Sequence, residues 1–108
     1  MRILQVSSAK TFGGGERHFV DLCKGLQSRG HEVFAVVRPS SEWKERLDFL
    51  PPENIRQISI RNSIGIFSSQ RMAKFIREKN IEIVHAHVAR DYFPASLACR
   101  IAKTPKFI

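Results

Sequence analysis

"MRILQVSSAKTFGGGERHFVDLCKGLQSRGHEVFAVV", Met1 to Val37, holds the changes of pattern that decide the fold. Arg2 to Ser7 is an apolar run of strand length. Gly13, Gly14 and Gly15 follow it. Beyond them Phe19, Val20, Leu22, Cys23 and Leu26 recur at the three-and-four spacing of a helix face. Gly30 ends that helix as a left-handed cap, and His31 to Val37 form a second strand stopped by Pro39. Strand, glycine turn, amphipathic helix and strand make one βαβ unit.

The same grammar repeats to the end of the chain. "SSEWKERLDFL" (Ser40 to Leu50) is a short helix with a serine cap, stopped by Pro51 and Pro52. "IRQISI" (Ile55 to Ile60) alternates strictly, which predicts a third strand with one face less buried, at an edge. Ile66 to Lys79 is a helix with Phe67, Met72, Phe75 and Ile76 inward. Ile81 to His87 is a fourth strand, and Tyr92 to Lys103 a fourth helix with Pro94 in its first turn, where a missing N–H costs little. "KFI" begins a fifth strand. Alternating strands and helices predict an α/β fold, a Rossmann-like, doubly wound parallel sheet. Right-handed crossovers make the expected strand order 3-2-1-4-5. The sequence ends as its fifth strand starts, so a fragment of a longer protein is expected.

The 108 residues are enough for one small domain. The two cysteines, Cys23 and Cys99, lie on predicted buried helix faces without metal-site spacing, so they read as reduced core residues. The amino terminus lacks a signal-peptide cleavage pattern, and no apolar run approaches the roughly 20 residues that cross a bilayer. A cytoplasmic protein is expected. The formal charge of +8 suits nucleic acid, an anionic membrane or a phosphorylated substrate. With no zinc finger, no basic aromatic segment and no dense basic run, a nucleic-acid partner is not expected.

In a doubly wound sheet, ligands bind outside the carboxyl ends of the strands where the order reverses. That crevice lies between strands one and four, so the Gly13-Gly14-Gly15 turn and "HAH" (His85 to His87) should meet there. Glycine would let a backbone approach a ligand, at a helix start that favours anions; a ligand-free tight turn would use the same residues. The dinucleotide fingerprint fails because His18 stands where its third glycine belongs, and no Walker lysine follows. His85 and His87 share one strand face, but no third ligand has helpful spacing, so no metal is expected. His85 reads equally as a hydrogen-bonded core histidine. His87, at the open end, is the better ligand contact, able to donate or accept near neutral pH. Glu16 either complements the helix dipole or bonds a polyhydroxylated ligand. Arg61, Asn62 and Ser63, with Arg90 and Asp91, share the rim; Arg61 reads as a solvated loop residue by default or as a contact to an anionic group. Trp43 belongs partly to the core.

"FGGGERHFVDLCKGLQSRGHEVFAVV" and "IEIVHAHVARDYFPASLACRIAK" resemble glycosyltransferase family 4, retaining enzymes of the GT-B fold. The resemblance implies that residues 1–108 are most of the amino-terminal, acceptor-side domain, the carboxy-terminal donor-binding domain being absent. It implies transfer of a hexosyl-type sugar, with retention, from a nucleotide-sugar donor to a glycan or lipid-linked acceptor. Gly13, Gly14 and Gly15 would approach the donor's phosphates or sugar, and His87 would act at the reaction centre. Glu16, Arg61, Asn62 and Arg90 would lie on the acceptor side. No metal or other cofactor is implied. The setting implied is cell-envelope polysaccharide or lipopolysaccharide synthesis, with peripheral contact to an anionic membrane at the inner face of the cytoplasmic membrane. Because the donor-binding residues lie in the absent half, the isolated chain is expected to be inactive. The alternative is a stand-alone Rossmann-like nucleotide- or anion-binding module, against which Arg38 stands where an acidic residue would end strand two.

Overall fold

The computed structural model describes residues 1–9, 14–39, 41–59, 66–87, 89–103 and 106–108, with backbone alone at 14, 15, 41, 42, 44, 89 and 90. The elements run β1 (Arg2–Ser7), α1 (Gly14–Ser28), β2 (Glu32–Val37), α2 (Ser41–Arg46), a 3₁₀ turn (Pro52–Asn54), β3 (Ile55–Gln57), α3 (Ile66–Lys79), β4 (Ile83–Ala86), α4 (Ala89–Ala102) and β5 (Lys106–Phe107). The strands form one parallel sheet in the order β3-β2-β1-β4-β5, as the sequence predicts.

Alternation along the strands sorts the core into two layers. Leu4, Val6, Phe34, Val36, Val84 and Ala86 face α3 and α4, meeting Met72, Phe75, Ile76, Ala95, Ala98 and Cys99. On the other face Val33, Ala35 and Val37 meet Phe19, Val20 and Cys23 of α1 and Trp43 and Leu47 of the α2 region. Burial pushes the Cys23 thiol up to about 12 and that of Cys99 up to about 11, so both behave as small apolar groups. Gly30 closes α1 with φ of 91°, a left-handed conformation that glycine takes without strain, and His31 N–H returns to Leu26 C=O at 3.2 Å.

Several expectations need correction. β3 spans Ile55–Gln57 rather than Ile55 to Ile60, the last of which lies outside the described residues; at this edge it pairs with β2, and Ile58 N–H still reaches Val37 C=O at 3.0 Å. α4 begins at Ala89, so Pro94 lies inside the helix rather than in its first turn. Without an N–H, Pro94 makes no bond to the carbonyl four residues earlier, at Arg90. Phe67 is 81% exposed instead of inward, because it shares the outward face of α3 with Arg71, Lys74 and Glu78, while Ser68, Ser69, Met72, Ala73, Phe75 and Ile76 form the buried face. Trp43 is fully core, at 2% exposure.

Candidate functional site

β1 lies between β2 and β4, and the helices that follow β1 and β4 cover opposite faces. The sheet therefore reverses between β1 and β4, and the carboxyl ends of these two strands open a crevice. α1 starts at Gly14, which makes Gly14 and Gly15 the first helical residues rather than part of a free turn. The first N–H groups of a helix have no intrahelical acceptor, and glycines at these positions add no Cβ beside them.

His87 follows β4 directly, and its own N–H donates to Val6 C=O at 3.0 Å, continuing the ladder. Its ring Nε2 lies 2.5 Å from Gln5 Oε1. The ring stands edge-on to Phe19, 4.8 Å between centroids at 68°, and 4.2 Å from the His85 ring. Phe19 is fully buried, little more than one turn into α1, so this contact ties the helix start to the end of β4. The structure thus brings Gly14, Gly15 and Glu16, at the start of α1, together with His87 on one face of the sheet at its reversal. His85 shares that face, being two residues before His87.

The connection leaving β1 is held by side chains from three elements. Ser7 Oγ accepts Ala9 N–H at 3.3 Å, Asp91 Oδ2 accepts Ser8 N–H at 2.8 Å, and Trp43 Nε1–H donates to Ala9 C=O at 3.2 Å. Trp43 also meets Phe19 edge-on at 5.1 Å. Asp91 sits in the first turn of α4, fully buried, bridging the two connections that flank the crevice. Gln5 and Trp43 are the site-shaping residues that motif reading passes over, whereas Asp91 is placed on the rim by its position after the histidine pair. A glutamine inside an apolar strand run was the visible signal for the first.

Burial holds the His87 imidazole down to about 4, with repulsion from His85 and then His18 adding to it. His85 is shifted the same way, by burial and then by His18. His87 is accordingly neutral at physiological pH, a hydrogen-bonding group rather than a cation. Glu16 is half-buried in the first turn of α1. Arg90 lies in the first turn of α4, its side chain outside the described residues together with Gly13, Arg61, Asn62 and Ser63 in full. A cleft of about 550 Å³ lined by Met1, Asn80, Glu82 and Lys106 opens at the amino-terminal end of the sheet, away from His87. Among the described residues no helix is long and apolar enough to cross a membrane.

The fold is shared with solved structures. MurG from Acinetobacter baumannii superposes with a TM-score of 0.74 at 19% identity, over 97% of this chain and 34% of that one. HepE from Anabaena, solved in complex with UDP, gives 0.73 at 18% identity over 99% and 29% of the two chains. A glycosyltransferase from Rickettsia africae gives 0.71 at 31% identity over 98% and 28%. The chain therefore spans about a third or less of the length of these proteins. No curated protein matches it. The profile described as Glycosyltransferase Family 4 matches residues 12–108, the chain from the glycine run onward, with every element after β1. The chain belongs to glycosyltransferase family 4.

Proposed function

We propose that the chain is the amino-terminal, acceptor-side domain of a two-domain enzyme that moves a hexosyl group, with retention, from a nucleotide sugar to a glycan or lipid-linked acceptor. The observation that carries this reading is the packing of His87 on Phe19, which sets a neutral imidazole beside the glycine-bearing start of α1 at the sheet reversal. That HepE was solved with UDP, and with UDP and glucose, supports a nucleotide-sugar partner. Gly13, Gly14 and Gly15 approach the donor's phosphates or sugar, using N–H groups at the positive end of α1. His87 contacts the transferred sugar. Glu16, Arg61, Asn62 and Arg90 take the acceptor side. Stabilisation of the leaving diphosphate comes from the second domain, without a metal or other cofactor.

The acceptor is delivered from a cell-envelope membrane, on the cytoplasmic side. Ile66 at 53% exposure, Phe67 at 81% and Phe93 at 53% stand at the starts of α3 and α4, which Ser69 Oγ joins by donating to Pro94 C=O at 3.0 Å. These apolar groups on a chain of charge +8 suit an anionic bilayer surface. Cosedimentation with vesicles tests this part; equal binding to zwitterionic and anionic vesicles, or none, would remove it.

Transfer assays with nucleotide sugars on the full-length protein test the central reading. The expected result is turnover that His87→Ala lowers by roughly tenfold or more, as loss of one hydrogen bond of about 1.5 kcal/mol does, with none from residues 1–108 alone. Turnover by the isolated chain would overturn the two-domain reading. Nucleotide binding without any transfer by the longer protein would leave the stand-alone binding module.

A further inference from the structure

Gln5 occupies the centre of the middle strand, paired in register with His85 and 1% exposed. Its neighbours in sequence, Leu4 and Val6, are fully buried apolar residues. A parallel strand covered on both faces is ordinarily a continuous apolar run, so an amide there is an exception. Leaving such an amide unsatisfied costs about 1–3 kcal/mol, which the described contact offsets through one partner, the His87 ring.

The chemistry of that contact is decided by one atom. The carboxamide oxygen of Gln5 only accepts hydrogen bonds. For the ring atom 2.5 Å from it, His87 Nε2, to bond that oxygen, Nε2 acts as the donor and carries the proton. A neutral imidazole has a single N–H, so Nδ1 is left with the lone pair. Phe19, edge-on at 4.8 Å, restricts the ring from its other neighbour.

We propose that Gln5 is a positioning residue for sugar transfer, which fixes the His87 ring as its Nε2–H tautomer so that Nδ1 meets the ligand only as an acceptor. The inference rests on the proposed function for the identity of the ligand, but the tautomer does not. An acceptor nitrogen takes a hydrogen bond from a hydroxyl and repels a phosphate oxygen, whose lone pairs face it. His87 thereby selects a sugar hydroxyl, and the diphosphate is left to the start of α1. The arrangement differs from a general acid in that the ring's only proton is already committed to the protein. It differs from a merely satisfied core pair in requiring one particular tautomer.

Histidine-selective ¹⁵N labelling with two-bond proton–nitrogen spectra of the protein, assigned with His87→Asn, reads the tautomer directly. The expected spectrum at neutral pH shows His87 protonated at Nε2 alone. Gln5→Met, of similar volume but with no acceptor oxygen, should give a mixture of the two tautomers, and Gln5→Glu should restore the Nε2–H form. An Nδ1–H tautomer in the unsubstituted protein would overturn the proposal with no variant needed, as would an unchanged tautomer in Gln5→Met. In the transfer assay Gln5→Met should lower kcat about tenfold or more with little change in donor KM, as loss of the partners that orient functional imidazoles does. An unchanged kcat would also overturn it. If no transfer is found for any form while the tautomers behave as described, the sugar-transfer reading falls and the orientation of His87 by Gln5 stands.

Discussion

The two faces of the central strands are built to different rules. Toward α3 and α4, β1 and β4 present Leu4, Val6, Val84 and Ala86, all buried and apolar. Toward α1, alternation makes the same two strands present Ile3 and Ile83 at their first paired residues and then Gln5, Ser7, His85 and, just past β4, His87. The apolar cluster on that second face is built on β2, through Val33, Ala35 and Val37. One face of the β1–β4 pair is thus a core and the other a polar stripe that ends at the crevice. A fold needs the first and gains little from the second, because each buried polar group must be matched by a partner merely to break even. The polar stripe is where stability and function part company.

The comparison can be broken or sharpened by substitution on each side. The largest effect is expected on the apolar face, where Phe75→Ala should cost about 3–5 kcal/mol in urea unfolding. Phe75 is fully buried, meets Phe34 edge-on at 6.2 Å and carries Arg56 over its ring at 4.7 Å. A loss under ~1 kcal/mol would show that this layer is not the main core. Next comes Asp91→Ala, which leaves Ser8 N–H without its carboxylate and should cost about 1–3 kcal/mol in the same measurement.

A smaller effect is expected from pH. Folded His87 titrates near 4, against 6.5 for an ordinary histidine, so the unfolded chain takes up the proton first. Stability from this group is fully present above pH 6.5 and falls as the pH drops toward 4. Melting temperatures measured between pH 7 and pH 4 should decline less steeply in His87→Gln than in the unsubstituted protein. Parallel curves would show that His87 is not held neutral by the fold. The groups facing it, His85 on the same strand and His18 on α1, remain in that variant.

The smallest change is expected where a contact-counting view expects a large one. Gln5→Leu combined with His87→Leu removes both ends of the polar pair and should leave stability within about 1 kcal/mol, since replacing both partners by apolar groups is nearly neutral. Transfer activity should nevertheless be lost. A large destabilisation of this double variant would mean that the polar stripe is structural after all.

Much of this architecture was legible before any coordinates. The apolar runs and the helix-spaced residues between them led to the right elements, and the crossover rule to the right strand order. The end of α1 was legible because Gly30 is needed for φ of 91°. What misled was local pattern at helix starts. Its apolar side chain suggested an inward place for Phe67, yet at about 100° per residue it lies half a rotation from Ile76, on the exposed face with Arg71, Lys74 and Glu78. Pro94 suggested a helix start, yet three residues before it Asp91 already bonds the far connection from inside α4. The candidate site divided in the same way. The glycine run and the histidine pair were visible as motifs, while Gln5, Asp91 and Trp43 were single residues whose partners lie 82, 83 and 34 positions away.

Sequence alone determined the class of fold and the end of the sheet where the candidate site is sought, because periodicity and glycine placement are properties of neighbouring residues. Tertiary structure decided that His87 Nε2 meets the Gln5 carboxamide and what anchors the connection leaving β1. Those depend on atoms brought within hydrogen-bond reach by strand register, and register follows from the packing of the whole sheet rather than from any one segment.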